Sequence, residues 1–106
     1  MKTIKLMNEF LRGVIWTQDE DGILTSDISI VANDLICQKL NKEIGDMYNS
    51  YYEFDRDEAC YFNKEQQLKD KEKMLSLLNQ LIERLNEIND GSFLIDDYEI
   101  RELKRL

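Results

Sequence analysis

The chain has 106 residues, with 14 Lys plus Arg against 22 Asp plus Glu and neither His nor Pro, and its formal net charge is −8. At 42 % apolar and 34 % charged it is too apolar for a disordered chain, and no apolar run approaches the roughly 18 residues of a spanning helix. The lack of His excludes Ser-His-Asp and Cys-His nucleophiles and HNH-type nucleases, and it removes the ligand that most zinc sites use.

In chain order, Ile4, Leu6, Met7, Phe10 and Leu11 recur at three and four, and Gly13 stands where a helix would stop, so the spacing predicts a first helix over about residues 2–12. Val14 to Thr17 is β-favouring, Gln18 to Gly22 is turn chemistry and Ile23 to Thr25 is apolar again; a short hairpin or an ordered loop pinned by Trp16 is expected here. Thr25, Ser26 or Asp27 can cap a second helix over about 28–52, whose apolar stripe runs Val31, Leu35, Ile36, Leu40, Ile44, Met47, Tyr48 and Tyr51. Asn63 and Gln66 have capping-box spacing ahead of a long third helix over about 64–89. Asn89-Asp90-Gly91 ends it, Phe93 and Ile95 re-enter the core, and Asp96 or Asp97 can cap a short last helix carrying Ile100, Leu103 and Leu106. The expected fold class is all-α: residues 1–106 as one acidic domain, an antiparallel bundle of about four helices.

Charge is unevenly distributed. Residues 1–12 carry Lys2, Lys5 and Arg12 against Glu9, whereas residues 13–36 hold Asp19, Glu20, Asp21, Asp27 and Asp34 with no base. Such a field attracts a basic partner and repels nucleic acid and anionic membrane. Neither acidic cluster completes a metal motif. Aligning Gly22 with position six of a calcium loop puts Thr17 and Ile28 where carboxylates are required, and Glu43 and Asp46 lack the preceding acids of a helical magnesium pyrophosphohydrolase. Cys37 and Cys60, with no CxxC, read as two buried, reduced thiols. No metal, cofactor or catalytic residue is therefore expected.

Residues 47–62 hold six of the ten aromatics beside Glu53, Asp55, Asp57 and Glu58. Core packing accounts for Tyr48, Phe54 and Phe62, whereas Tyr51, Tyr52 and Tyr61 are interface candidates, because Tyr combines a large apolar face with a hydroxyl and its acidic neighbours suit Lys or Arg of a partner. Asp19, Glu20 and Asp21 form a second candidate face.

The segments Phe10-Leu11-Arg12-Gly13-Val14-Ile15, Tyr52-Glu53-Phe54-Asp55 and Ile95-Asp96-Asp97-Tyr98-Glu99-Ile100-Arg101 resemble small helical immunity proteins of the colicin D type and those paired with contact-dependent growth-inhibition toxins. The resemblance implies an antiparallel helical bundle that blocks one cognate toxin, often an RNase, with acidic side chains in place of RNA phosphates. By that analogy Glu53, Asp55, Asp57 and Glu58 are contact residues. The expected function is a non-catalytic, cytoplasmic immunity protein, monomeric when free, that neutralises a basic toxin of the nuclease class and binds neither nucleic acid nor membrane. A phage or mobile-element inhibitor of a host defence enzyme, or a helical oligomerising structural protein, are the alternatives.

Overall fold

In the computed structural model, which describes residues 1–54 and 60–106, the elements run β1 (Lys2–Glu9), β2 (Gly13–Gln18), α1 (Ser29–Ala32), α2 (Leu35–Asn49), β3 (Tyr52–Phe54), β4 (Cys60–Phe62), α3 (Lys64–Ile88), β5 (Phe93–Asp96) and α4 (Tyr98–Lys104). About half of the chain is helix and a quarter strand, in a three-stranded sheet of order β2-β1-β5 and a separate two-stranded ribbon, β3-β4. The fold is α/β, which overturns the expected all-α bundle.

The correction begins at residues 2–12. Ile4, Leu6, Met7, Phe10 and Leu11 fit a helical period, but Ile4, Leu6 and Asn8 also alternate with Lys5 and Met7, and in β1 the first three are buried. A lone helix of eleven residues is marginal in water, whereas β1 gains a ladder on each side. It pairs antiparallel with β2, Ile4 opposite Thr17 and Leu6 opposite Ile15, and parallel with β5, Ile4 opposite Ile95. The register shifts between Leu6 and Glu9, and next to the shift the Met7 carbonyl accepts the Trp16 indole N–H at 2.7 Å. Trp16 does pin a hairpin, but one made with β1; residues 23–25 add a single bridge, Gln18 to Leu24.

α2 and α3 cover the inner face of the sheet. β2 meets α2 closely: Gly13, at φ +75°, lies where a Cβ would come within 2.9 Å of Asn41 Oδ1, and that oxygen accepts the N–H groups of Val14 (2.8 Å) and Ile15 (3.3 Å). A side chain thereby closes part of a sheet edge that would otherwise invite another strand. The predicted second helix is broken in two. Asp34 is extended, its carboxylate accepts the Cys37 N–H at 2.9 Å as the N-cap of α2, and the same carboxylate takes the Arg84 guanidinium of α3 in a fork, Nη2 to Oδ1 at 2.6 Å and Nε to both oxygens. A cap and a cross-helix ion pair at one position outweigh the continuous stripe. The break changes which side chains are covered: Cys37, Leu40 and Ile44 are buried, but Leu35, expected in the core, is 84 % exposed and Ile36 is exposed with it.

In the C-terminal half the two helices follow the sequence pattern, whereas the strands β4 and β5 were not expected. Asn63 Oδ1 caps α3 through the Gln66 N–H at 3.0 Å, and Met74, Leu78, Leu81 and Leu85 form its buried stripe. β5 covers only residues 2–5 of β1. α4 packs beside the rest of that strand with Ile100 and Leu103 buried, and Glu99 accepts the Asn8 N–H at 2.7 Å. No helix among the described residues is long and apolar enough to cross a membrane.

Candidate functional site

Those expected binding residues that the structure describes fall at two opposite ends of the β1–β2 hairpin. Phe10, at the end of β1, stacks on Tyr52 at 4.4 Å between centroids, whereas the Met1 ammonium pairs with Glu20 at the start of the strand. Eight strand residues at roughly 3.3 Å each place the ends about 26 Å apart. No single acidic face contains Tyr52 and Glu20 together.

At the first end α2 stops at Ser50, Asn63 N–H donates to the Tyr51 carbonyl, and β3 turns back against β4 with Tyr52 opposite Phe62, Glu53 opposite Tyr61 and Phe54 opposite Cys60. Five rings close on one another. Phe62 lies within 6 Å of Tyr48, Tyr51 and Tyr52, Tyr48 and Tyr51 meet edge to face, and the Tyr48 and Tyr52 hydroxyls are 3.1 Å apart. Tyr51 is 1 % exposed. Its hydroxyl is buried without a hydrogen bond of good geometry, and burial first, then the nearby Asp70 carboxylate, pushes its pKa up. Tyr51 therefore belongs to the core and cannot serve as an interface anchor. Tyr52 is half-buried within the cluster. Glu53 is held below the usual carboxylate range by the Tyr61 hydroxyl and by Asn63 Nδ2, the latter at 3.2 Å, so it braces the ribbon. Among the described residues, the large apolar side chains this end offers to solvent are Leu11 (74 % exposed), Phe54 (64 %) and Tyr61 (51 %). Phe54, expected in the core, is on the surface because three-residue strands cannot reach back over the sheet. Asp55, Asp57 and Glu58 lie outside the described residues.

At the second end Asp19 folds the turn onto itself. Its carboxylate accepts the N–H groups of Asp21 and Ile23, both at 2.9 Å, while its own N–H donates to the Ile23 carbonyl. Glu20 is held low by its hydrogen bond and charge attraction to the Met1 ammonium. Only Asp21 of the three expected acids is exposed without an ion pair among the described residues. The same end carries five exposed aliphatic side chains that the sequence reading did not single out as a surface: Ile23, Leu24, Ile30, Leu35 and Ile36. The signal that could have found them is Asp34, a capping residue inside an otherwise continuous stripe.

Cys37 is buried among apolar groups beside the Asp34 carboxylate, which pushes its thiol up to about 12 and keeps it protonated at neutral pH. Cys60, expected to be buried, is exposed on β4. Among the described residues there is no group of three or more Cys, Asp or Glu placed to hold a metal ion. A recess between β2, α1 and α2, bounded by Thr17, Asp27, Gln38 and Asn41, encloses about 60 Å³, the space of a few water molecules at most. Comparison with protein-family models, with curated proteins and with solved structures finds no match for the chain.

Proposed function

We propose that the chain is a non-catalytic inhibitor of the immunity-protein kind, which binds and neutralises a basic protein toxin of the nuclease class. The reading is carried by the β3–β4 ribbon: a short hairpin held by five packed rings, with Phe54 and Tyr61 turned to solvent on either side of an acidic connection. Exposed aromatics on a rigid support lose little entropy on binding and make strong anchors. The net charge of −8 favours approach of a cationic partner. The helical bundle that the resemblance implied is not formed, so the proposal stands on the ribbon and the charge. Of the expected contact residues, it keeps Tyr52, Glu53, Asp55, Asp57, Glu58 and Tyr61 and drops Tyr51 and, at the far end, Asp19, Glu20 and Asp21.

The test is co-expression with the product of the gene immediately upstream. Cells are expected to survive with this protein and to die without it, and a folded Phe54→Ala/Tyr61→Ala variant is expected to lose protection. An upstream product that is harmless alone would refute the reading. Protection undiminished in the double variant would remove the ribbon from the contact.

A further inference from the structure

The end of the molecule opposite the ribbon combines exposed aliphatic side chains with exposed acids. α2 runs against β2 so that Asn41 lies over Val14, while Gln38 shares a recess with Thr17; its first turn therefore sits at the Asp19 turn. The Asp34–Arg84 pair brings the last turns of α3 to the same place, and Phe93 opposite Lys2 brings the Asp90 loop there too. Ile23, Leu24, Ile30, Leu35 and Ile36 are all exposed at this end, although each is large enough to fill a core. Single exposed aliphatics are ordinary, but five at one end of a 106-residue chain are not.

The surrounding charge identifies the occupant. Of the cations at this end, the Met1 ammonium is engaged by Glu20, Arg84 by Asp34 and Glu87, and Lys2 by the Ser26 carbonyl, while Lys39, one turn into α2, is exposed, in no ion pair among the described residues, and outnumbered by the exposed acids. Asp21, Asp27 and Asp90 are exposed and, among the described residues, in no ion pair. A second copy docking through a two-fold axis would set this acidic rim against itself. An anionic membrane would be repelled likewise. We propose that this end is a second docking surface, separate from the ribbon, for a cationic amphipathic protein segment whose apolar side chains cover Leu35, Ile36 and their neighbours while its Lys or Arg residues meet Asp21 and Asp27. The surface does not depend on the toxin reading, because it is drawn from a different set of residues.

The probe is a synthetic amphipathic peptide of Leu and Lys, with a Leu and Glu peptide of the same pattern as control, titrated into the full ¹⁵N-labelled chain. Expected are backbone shift changes clustered at residues 21–36, affinity that falls about tenfold or more from low to high salt, and no binding of the Glu peptide. Leu35→Ser/Ile36→Ser and, separately, Asp21→Lys/Asp27→Lys should each weaken binding at least about fivefold with an unchanged melting temperature; the second pair keeps the test valid should the first perturb the fold. Equal binding of both peptides, shifts confined to the ribbon, or no binding at low salt would overturn the proposal. So would sedimentation showing a tight dimer that Leu35→Ser dissolves, since the occupant would then be a second copy.

Discussion

At one end of the β1–β2 hairpin five aromatic rings bury one another; at the other, five aliphatic side chains of comparable bulk face solvent. The two ends are made from similar amounts of apolar sequence, and the difference lies in what the backbone does around them. After α2 the chain reverses at once into β3 and β4, so that Tyr48, Tyr52 and Phe62 converge from a helix and two strands. Between β2 and α2 it makes a self-contained turn, a loop and a four-residue helix, which buries Val31, half-buries Ile28 and leaves Ile23, Leu24 and Ile30 outward. The aromatic end is fixed by packing and the aliphatic end by hydrogen bonds and ion pairs, Asp34–Arg84 and Met1–Glu20 among them.

That contrast can be broken from its stronger side first. Tyr51→Ala should cost about 3–5 kcal/mol, because a fully buried ring is lost from the cluster, whereas Tyr51→Phe should be neutral or stabilising, since it removes a buried hydroxyl that has no good partner. Chemical denaturation of both variants checks this, and a large loss in Tyr51→Phe would mean that the hydroxyl is bonded. At the other end Asp34→Ala should cost about 1–2 kcal/mol through the lost helix cap alone, and Asp34→Asn, which keeps a capping oxygen, should cost less.

Acid sharpens the same comparison. The Arg84 guanidinium holds the Asp34 carboxyl well below its ordinary value of 3.8, so its contribution is fully present above about pH 4 and is lost as pH falls through the depressed value. The parent chain should therefore lose more melting temperature below about pH 4 than Asp34→Ala does. Glu99 has the opposite sign. Burial raises its pKa above the ordinary 4.5, so its contribution is present below that value and lost as pH rises through the raised one. Glu99→Gln, whose side-chain oxygen can still accept the Asn8 N–H, should melt about a degree higher at pH 7; a clear fall would show that the charge itself is needed. The smallest effect is expected at the aliphatic surface, where Leu35→Lys should change stability by less than about 0.5 kcal/mol. A large loss there would mean that Leu35 is covered in solution.

The candidate site was legible only in part. Aromatic density in residues 47–62 marked the ribbon, yet Tyr51, Tyr52 and Tyr61 look alike in sequence and end as a core residue, a half-buried cluster member and an exposed residue. Their fates follow from the point at which α2 stops and β3 begins, a matter of one residue. The acids were equally alike in composition: Asp19 closes its own turn, Glu20 binds the chain terminus, and Asp21 stays outward.

What the sequence determined by itself are the elements whose stabilising contacts are local. α3 begins at Asn63 and ends before Asn89-Asp90-Gly91 because its cap, its 3.6-residue stripe and its stop signal all lie within the segment; α4 buries the expected Ile100 and Leu103, although Asp97 makes no side-chain cap bond and Leu106 is exposed. Tertiary structure decided the rest. β1 is a strand because its partners are residues 13–18 and residues 93–96, the latter 91 positions away. α2 starts at Leu35 because Asp34 finds Arg84 fifty residues further on. In both places the local pattern was compatible with a continuous helix, and pairing with groups distant in the chain made a different backbone the more stable one.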